Sequence, residues 1–151
     1  MSAQTIQKAQ LPDVITKPSA WLGSDMVRNP DAWLYQLTVE DVRDLESAAT
    51  HFKGLGIDVG EISRETFPLT TFSVHIAGLK QILLSGVGLE VLRGLPIENY
   101  SQAFCATIFC GIGAHIGSTR SQNADGHILG HVRDIGADAN DPNSRIYQTC
   151  E

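Results

Sequence analysis

The chain has 151 residues, 42% of them hydrophobic and 19% charged, and a formal net charge of -6. That is long enough for one domain with a real core, and too apolar for a disordered chain. The negative balance argues against nucleic acid and anionic membrane as partners, no run nears the roughly 18 apolar residues of a membrane span, and three cysteines make no disulfide framework.

Taken in order, residues 1–20 are polar, carry Pro12 and Pro18, and read as a flexible N-terminal arm. The first ten residues have no apolar core of signal-peptide length, so the cytoplasm is the default location. Trp21 opens the folded part, 21–151. Asn29-Pro30-Asp31 marks a turn, and Ala32–Leu37 reads as a short strand with Trp33, Tyr35 and Leu37 on one face. Both tryptophans are expected to clamp the arm onto the core. Thr38 caps a helix with Val42, Leu45, Ala49 and Phe52 on its apolar side. Asp41 at the third position makes only a partial capping box. Gly54 and Gly56 end that helix, and His51 reads as a surface residue near its C-terminus.

Ile57–Pro68 carries Asp58, Glu61 and Glu65 and is expected to be a solvated connector. Thr70 or Thr71 caps the next helix, with Phe72, Ile76, Leu79 and Leu83 inward and His75 at the core edge. Residues 86–117 are the apolar centre of the chain. They read as a short buried strand around 88–93, a Gly94-Leu95-Pro96 break, and a helix capped by Ser101. Phe104, Ile108, Ile112 and Ile116 recur at four-residue spacing, backed by Cys105 and Phe109. Cys105 and Cys110 read as buried free thiols, which suits a reducing compartment; Cys150 lies at the end of the sequence. A polar loop at 118–126, a strand at His127–Asp134 and a loop at Gly136–Ser144 complete the reading.

Constellations for chemistry are sparse. His127 with His131 is the best metal candidate, with His115 and Asp125 or Asp134 as further donors. On a strand, however, four-residue spacing sets two imidazoles about 13 Å apart, too far for one ion. A non-haem iron site usually leaves a His-x-Asp or His-x-Glu trace. The residues two places after His51, His75, His115, His127 and His131 are Lys53, Ala77, Gly117, Leu129 and Arg133, so the trace is absent. There is no Gly-x-Ser-x-Gly elbow and no phosphate-binding glycine loop.

Ordered motifs nevertheless run along most of the chain: Trp21–Met26 (WLGSDM), Trp33–Thr38 (WLYQLT), Gly88–Pro96 (GLEVLRGLP) and Gly111–Gly117 (GIGAHIG). Gln122-Asn123 with Gly126, His131–Asp134 (HVRD) and Arg145–Tyr147 (RIY) continue the series. Their order and spacing resemble the TauD/TfdA-like iron(II)- and 2-oxoglutarate-dependent dioxygenases, particularly a fungal-looking branch, over residues 20–151.

The resemblance implies an α+β fold: the N-terminal part of a double-stranded β-helix (jelly-roll) oxygenase domain, with packing helices and an incomplete sheet. It implies an oxidoreductase that uses Fe(II) and 2-oxoglutarate on a small organic substrate when full-length. In the family, the His-x-Asp iron ligands follow shortly after the segment matching Arg145–Thr149, and the distal His and the 2-oxoglutarate arginine come later. The sequence ends at Glu151, so the resemblance implies a fragment that binds neither group and is inactive. No catalytic, cofactor-binding or metal residue carries over. Gln122 and Asn123 match a polar loop near the active-site mouth and are candidate cavity-lining residues; a solvated loop is the other reading. A non-catalytic binding module and a small metal hydrolase using His127 and His131 are the alternatives.

Overall fold

The computed structural model describes residues 17–122 and 126–130. They fall into two units, one ending at Ser118 and the other beginning at Thr119. In the first unit the order is α1 (Gly23–Arg28), β1 (Leu34–Gln36), α2 (Val39–Leu55), α3 (Phe72–Ser85), β2 (Val91–Arg93) and α4 (Gln102–Ile116), with single 3-10 turns at Pro30–Ala32, Val59–Glu61 and Ile97–Asn99. Helices and strands are mixed, as an α+β reading requires.

The core lies between three mutually packed helices. α2 contributes Leu45, Ala48, Ala49 and Phe52, α3 contributes Phe72, Ile76 and Leu79, and α4 contributes Ile108 and Cys110. Burial raises the pKa of the Cys110 thiol. β1 and β2 pair in parallel, with Leu34 opposite Val91, Tyr35 opposite Leu92 and Gln36 opposite Arg93. A parallel pair needs a long crossover, and α2, the connector and α3 provide it.

The helix termini follow their local chemistry, with two corrections. The capping box of α2 closes fully. The Thr38 hydroxyl accepts from the Asp41 N–H at 3.1 Å, and the Asp41 carboxylate accepts from the Thr38 N–H at 2.9 Å. Aspartate is short, but it reaches at this spacing. Gly56 ends the helix in the left-handed region at φ 67°. For α3, neither Thr70 nor Thr71 caps with its own side chain. Asp44, from the middle of α2, accepts from the Phe72 N–H at 2.9 Å, the Thr70 N–H at 2.9 Å and the Thr70 hydroxyl at 2.6 Å. Ser101 caps α4 as expected, accepting from the Phe104 N–H at 3.2 Å.

Four further expectations are corrected. The acidic connector is not simply solvated: Ile62 is 6% exposed and Phe67 fully buried. The ring of Phe67 lies where a β-carbon on Gly111 would stand, 2.5 Å from its carbons. The buried side of α4 is Thr107, Ile108, Cys110 and Gly111, while Phe109 is 68% exposed. Thr107 tolerates burial because its hydroxyl donates to the Ala103 carbonyl at 2.9 Å. The strand within 88–93 is not buried either. Val91 and Arg93 are exposed and Leu92 is half-buried, because only one face of the pair packs on the helices. His127–Gly130 forms no strand, and the rest of the expected strand lies outside the described residues.

Both tryptophans act as ties. The Trp21 indole donates to the Val87 carbonyl and the Trp33 indole to the Met26 carbonyl, each at 2.9 Å. The arm expected at residues 1–20 is described only from Lys17 onward.

Candidate functional site

In the second unit, Gln122 lies in an exposed loop. Its N–H donates to the His127 carbonyl at 2.7 Å, and its side-chain amide donates to the Arg120 carbonyl at 2.9 Å. The amide thus folds onto its own loop. His127 is exposed. Asn123, Asp125, His131 and Asp134 lie outside the described residues, so neither the Gln122–Asn123 pair nor the His127–His131 pair is brought together within them.

In the first unit a polar cluster joins the sheet to the helices. The His75 Nε2 and the Glu90 Oε2 meet at 2.7 Å, with side chains 18% and 6% exposed. The imidazole lies against the Tyr35 ring at 3.6 Å between centroids and the Phe72 ring at 5.3 Å. The Tyr35 hydroxyl donates to the Asp41 carboxylate at 2.9 Å, which the Thr38 hydroxyl also approaches at 2.8 Å. Burial, then the bond to Asp41, raises the Tyr35 pKa. For Asp41, burial pushes the other way, but the Thr38 and Tyr35 hydrogen bonds outweigh it and hold the carboxyl below its ordinary range. Among the described residues every buried side-chain nitrogen and oxygen has a partner. The cluster therefore ties α3 to β1 and to the residue before β2. Sequence reading put Tyr35 on one face with Trp33 and Leu37 and His75 at the core edge but missed their stacking, since residues so far apart share no periodic signal.

Another group gathers at the end of α4. The His115 Nε2 donates to the Phe67 carbonyl at 2.7 Å. The Arg64 guanidinium donates to the Ala114 carbonyl at 3.4 Å and the His115 carbonyl at 3.1 Å. These are structural closures of a helix end.

No family model matches the chain. Two curated proteins do. Over 120 residues the chain is 32% identical to taurine hydroxylase-like protein SAT17 of Stachybotrys chartarum (strain CBS 109288 / IBT 7711), covering 79% of this chain and 31% of that protein. Over 138 residues it is 29% identical to FR-33289 synthase of Streptomyces rubellomurinus (strain ATCC 31215), covering 91% of this chain and 40% of that protein. Both similarities are consistent with a TauD-like family. The family resemblance drawn from its motifs is thereby borne out. The chain spans about a third of one relative's length and two-fifths of the other's.

Similarity to a protein named taurine hydroxylase-like raises the question of iron. Among the described residues no three His, Cys, Asp or Glu side chains stand together as a metal would need. His75 is engaged with Glu90 and His115 with a backbone carbonyl, while His51 lies exposed on α2. The described residues do not fit an iron(II) site, and no step through iron or 2-oxoglutarate is assigned to them. In the same residues no helix is long and apolar enough to cross a membrane.

Proposed function

We propose that this chain contributes the helical packing layer and two of the sheet strands to a TauD-like oxidoreductase domain. The domain would be a double-stranded β-helix, and the complete protein would use Fe(II) and 2-oxoglutarate to oxidise a small organic molecule. The observation that carries this reading is the 32% identity to a protein named taurine hydroxylase-like. A mixed fold of helices with a small two-stranded sheet is compatible with the α+β part of this reading. Gln122 and Asn123 are proposed to line the substrate cavity. The free thiols of Cys105 and Cys110 suit a cytoplasmic setting.

The sequence contains no His-x-Asp or His-x-Glu, so the chain by itself is proposed to be catalytically silent. Purified chain given iron(II), 2-oxoglutarate and taurine should release no succinate above a protein-free control, and titration calorimetry should show no stoichiometric iron binding. Turnover by the chain alone overturns the silent assignment. The transcript downstream of codon 151 tests the other half: an in-frame His-x-Asp pattern supports the domain reading, and a stop codon directly after codon 151 counts against it.

A further inference from the structure

α4 ends without the cap that its sequence suggests. Gly117 stands just past the last helical residue, where a glycine commonly turns left-handed and folds the following amide back onto the last turn. Here Gly117 is extended, at φ -162° and ψ -172°. Any residue adopts that conformation, and a β-carbon at this position would meet nothing within 4 Å. The glycine is therefore not required by the conformation it holds.

The carbonyls of the last turn still need donors. The Gly117 N–H reaches the Gly113 carbonyl at 3.0 Å. Arg64 takes the next two, with Nε at 3.4 Å from the Ala114 oxygen and Nη2 at 3.1 Å from the His115 oxygen. Its cation also meets the negative end of the helix dipole. Arg64 is delivered there by a connector that is itself anchored on this turn. Phe67 is fully buried, and its carbonyl accepts from His115 at 2.7 Å.

We infer that Arg64 is a positioning residue that selects between two exits from α4. While it occupies the Ala114 and His115 carbonyls, the chain leaves extended through Gly117 and Ser118. Without it, Gly117 turns left-handed, its own N–H shifts to the freed Ala114 carbonyl, and the Ser118 amide folds back onto the Gly113 carbonyl that Gly117 releases. This choice sets the direction in which the chain leaves the helix. It concerns α4 and its connector alone, so it stands whether or not the proposed function does.

Heteronuclear NMR of the labelled full chain tests it with R64A, G117A and the double variant. Backbone couplings and chemical shifts report the Gly117 dihedrals, and amide exchange reports the Ser118 N–H. In R64A, Gly117 should move to positive φ and the Ser118 amide should gain protection. G117A should resemble wild type, since alanine accepts the extended form and resists the left-handed one. The double variant should return to the extended exit. Gly117 remaining extended in R64A overturns the inference, as does a left-handed shift that survives in the double variant. Uniformly faster exchange along α4 without a change of sign at position 117 marks Arg64 as merely structural and also overturns it. Should R64A fail to fold, R64Q carries the same readout, because a single amide cannot serve both carbonyls as the guanidinium does.

Discussion

Donors from the start of α3 converge on Asp44, a residue in the middle of α2. Burial alone would raise its pKa. The bonds from the Thr70 hydroxyl and from the Phe72 and Thr70 N–H groups outweigh that and hold the carboxyl below the ordinary aspartate range. A depressed folded pKa means that the unfolded chain takes up the proton more readily. The stabilisation is then complete above the unfolded value near about 4, and is lost as pH falls through the folded value. Denaturant unfolding followed from about pH 6 to about pH 2 should show this acid limb. D44N should flatten part of it, and at the upper end should be less stable by roughly 1–3 kcal/mol. Asp41 and the exposed Glu65, lowered in the same direction, should sustain part of what is left. An acid limb unchanged in D44N would remove Asp44 from this role. Gly111 is the complementary case, a residue that matters for what it lacks. A β-carbon there would stand 2.5 Å from ring carbons of the fully buried Phe67. The ring has no room to yield, so G111A should cost about 1–3 kcal/mol, visible as a lowered Tm.

At the scale of elements, α4 shows what the sequence could and could not disclose. Its start was legible, because an N-cap is a local event: Ser101 meets the Phe104 N–H three residues on. Its buried face was not. The row Phe104, Ile108, Ile112 and Ile116 is hydrophobic, but so is nearly everything beside it, and a helix apolar on most sides carries little directional signal. The connector settles the matter: Phe67 needs a flat site, and Gly111 provides it. That turns Thr107 and Cys110 inward with Ile108 and leaves Phe109 68% exposed. The same cause hid the Asp44 cap and the Tyr35–His75 stack, which join residues distant in sequence. The candidate cavity loop was legible only as a resemblance, since Gln122 shows no local geometry that singles it out. The assignment of faces can be checked with adjacent residues. I108A should cost about 2–4 kcal/mol, the range for a buried aliphatic truncated to alanine. F109A should stay within about 0.5 kcal/mol of wild type. Equal losses in the two variants would mean that something covers Phe109 in solution.

Across the first unit, stability should be unevenly distributed, lower in the sheet than in the helical core. Two strands of three residues each give few cross-strand bonds. The Val91 N–H reaches the Trp33 carbonyl at 2.7 Å and the Leu37 N–H reaches the Arg93 carbonyl at 2.8 Å at the ends of the pairing. A two-stranded sheet is marginal by itself, and this one is braced on a single face, through Tyr35, His75 and Glu90. Its other face carries the exposed Val91 and Arg93. The helices, by contrast, enclose Leu45, Phe67, Phe72 and Ile108. Opening the strands therefore exposes little new apolar surface, whereas opening the helical layer exposes the core. Native-state hydrogen exchange should accordingly find the amides of Leu34–Gln36 and Val91–Arg93 exchanging well before those in the middle of α2 and α4, although both sets are hydrogen-bonded. The comparison should be run across a dilution series. Strand protection equal to that of the helices and independent of concentration would mean that the pair is stabilised within the chain beyond what its one braced face supplies. Protection that rises with concentration would mean that the open strand edges pair between molecules, the behaviour expected of unpaired edges.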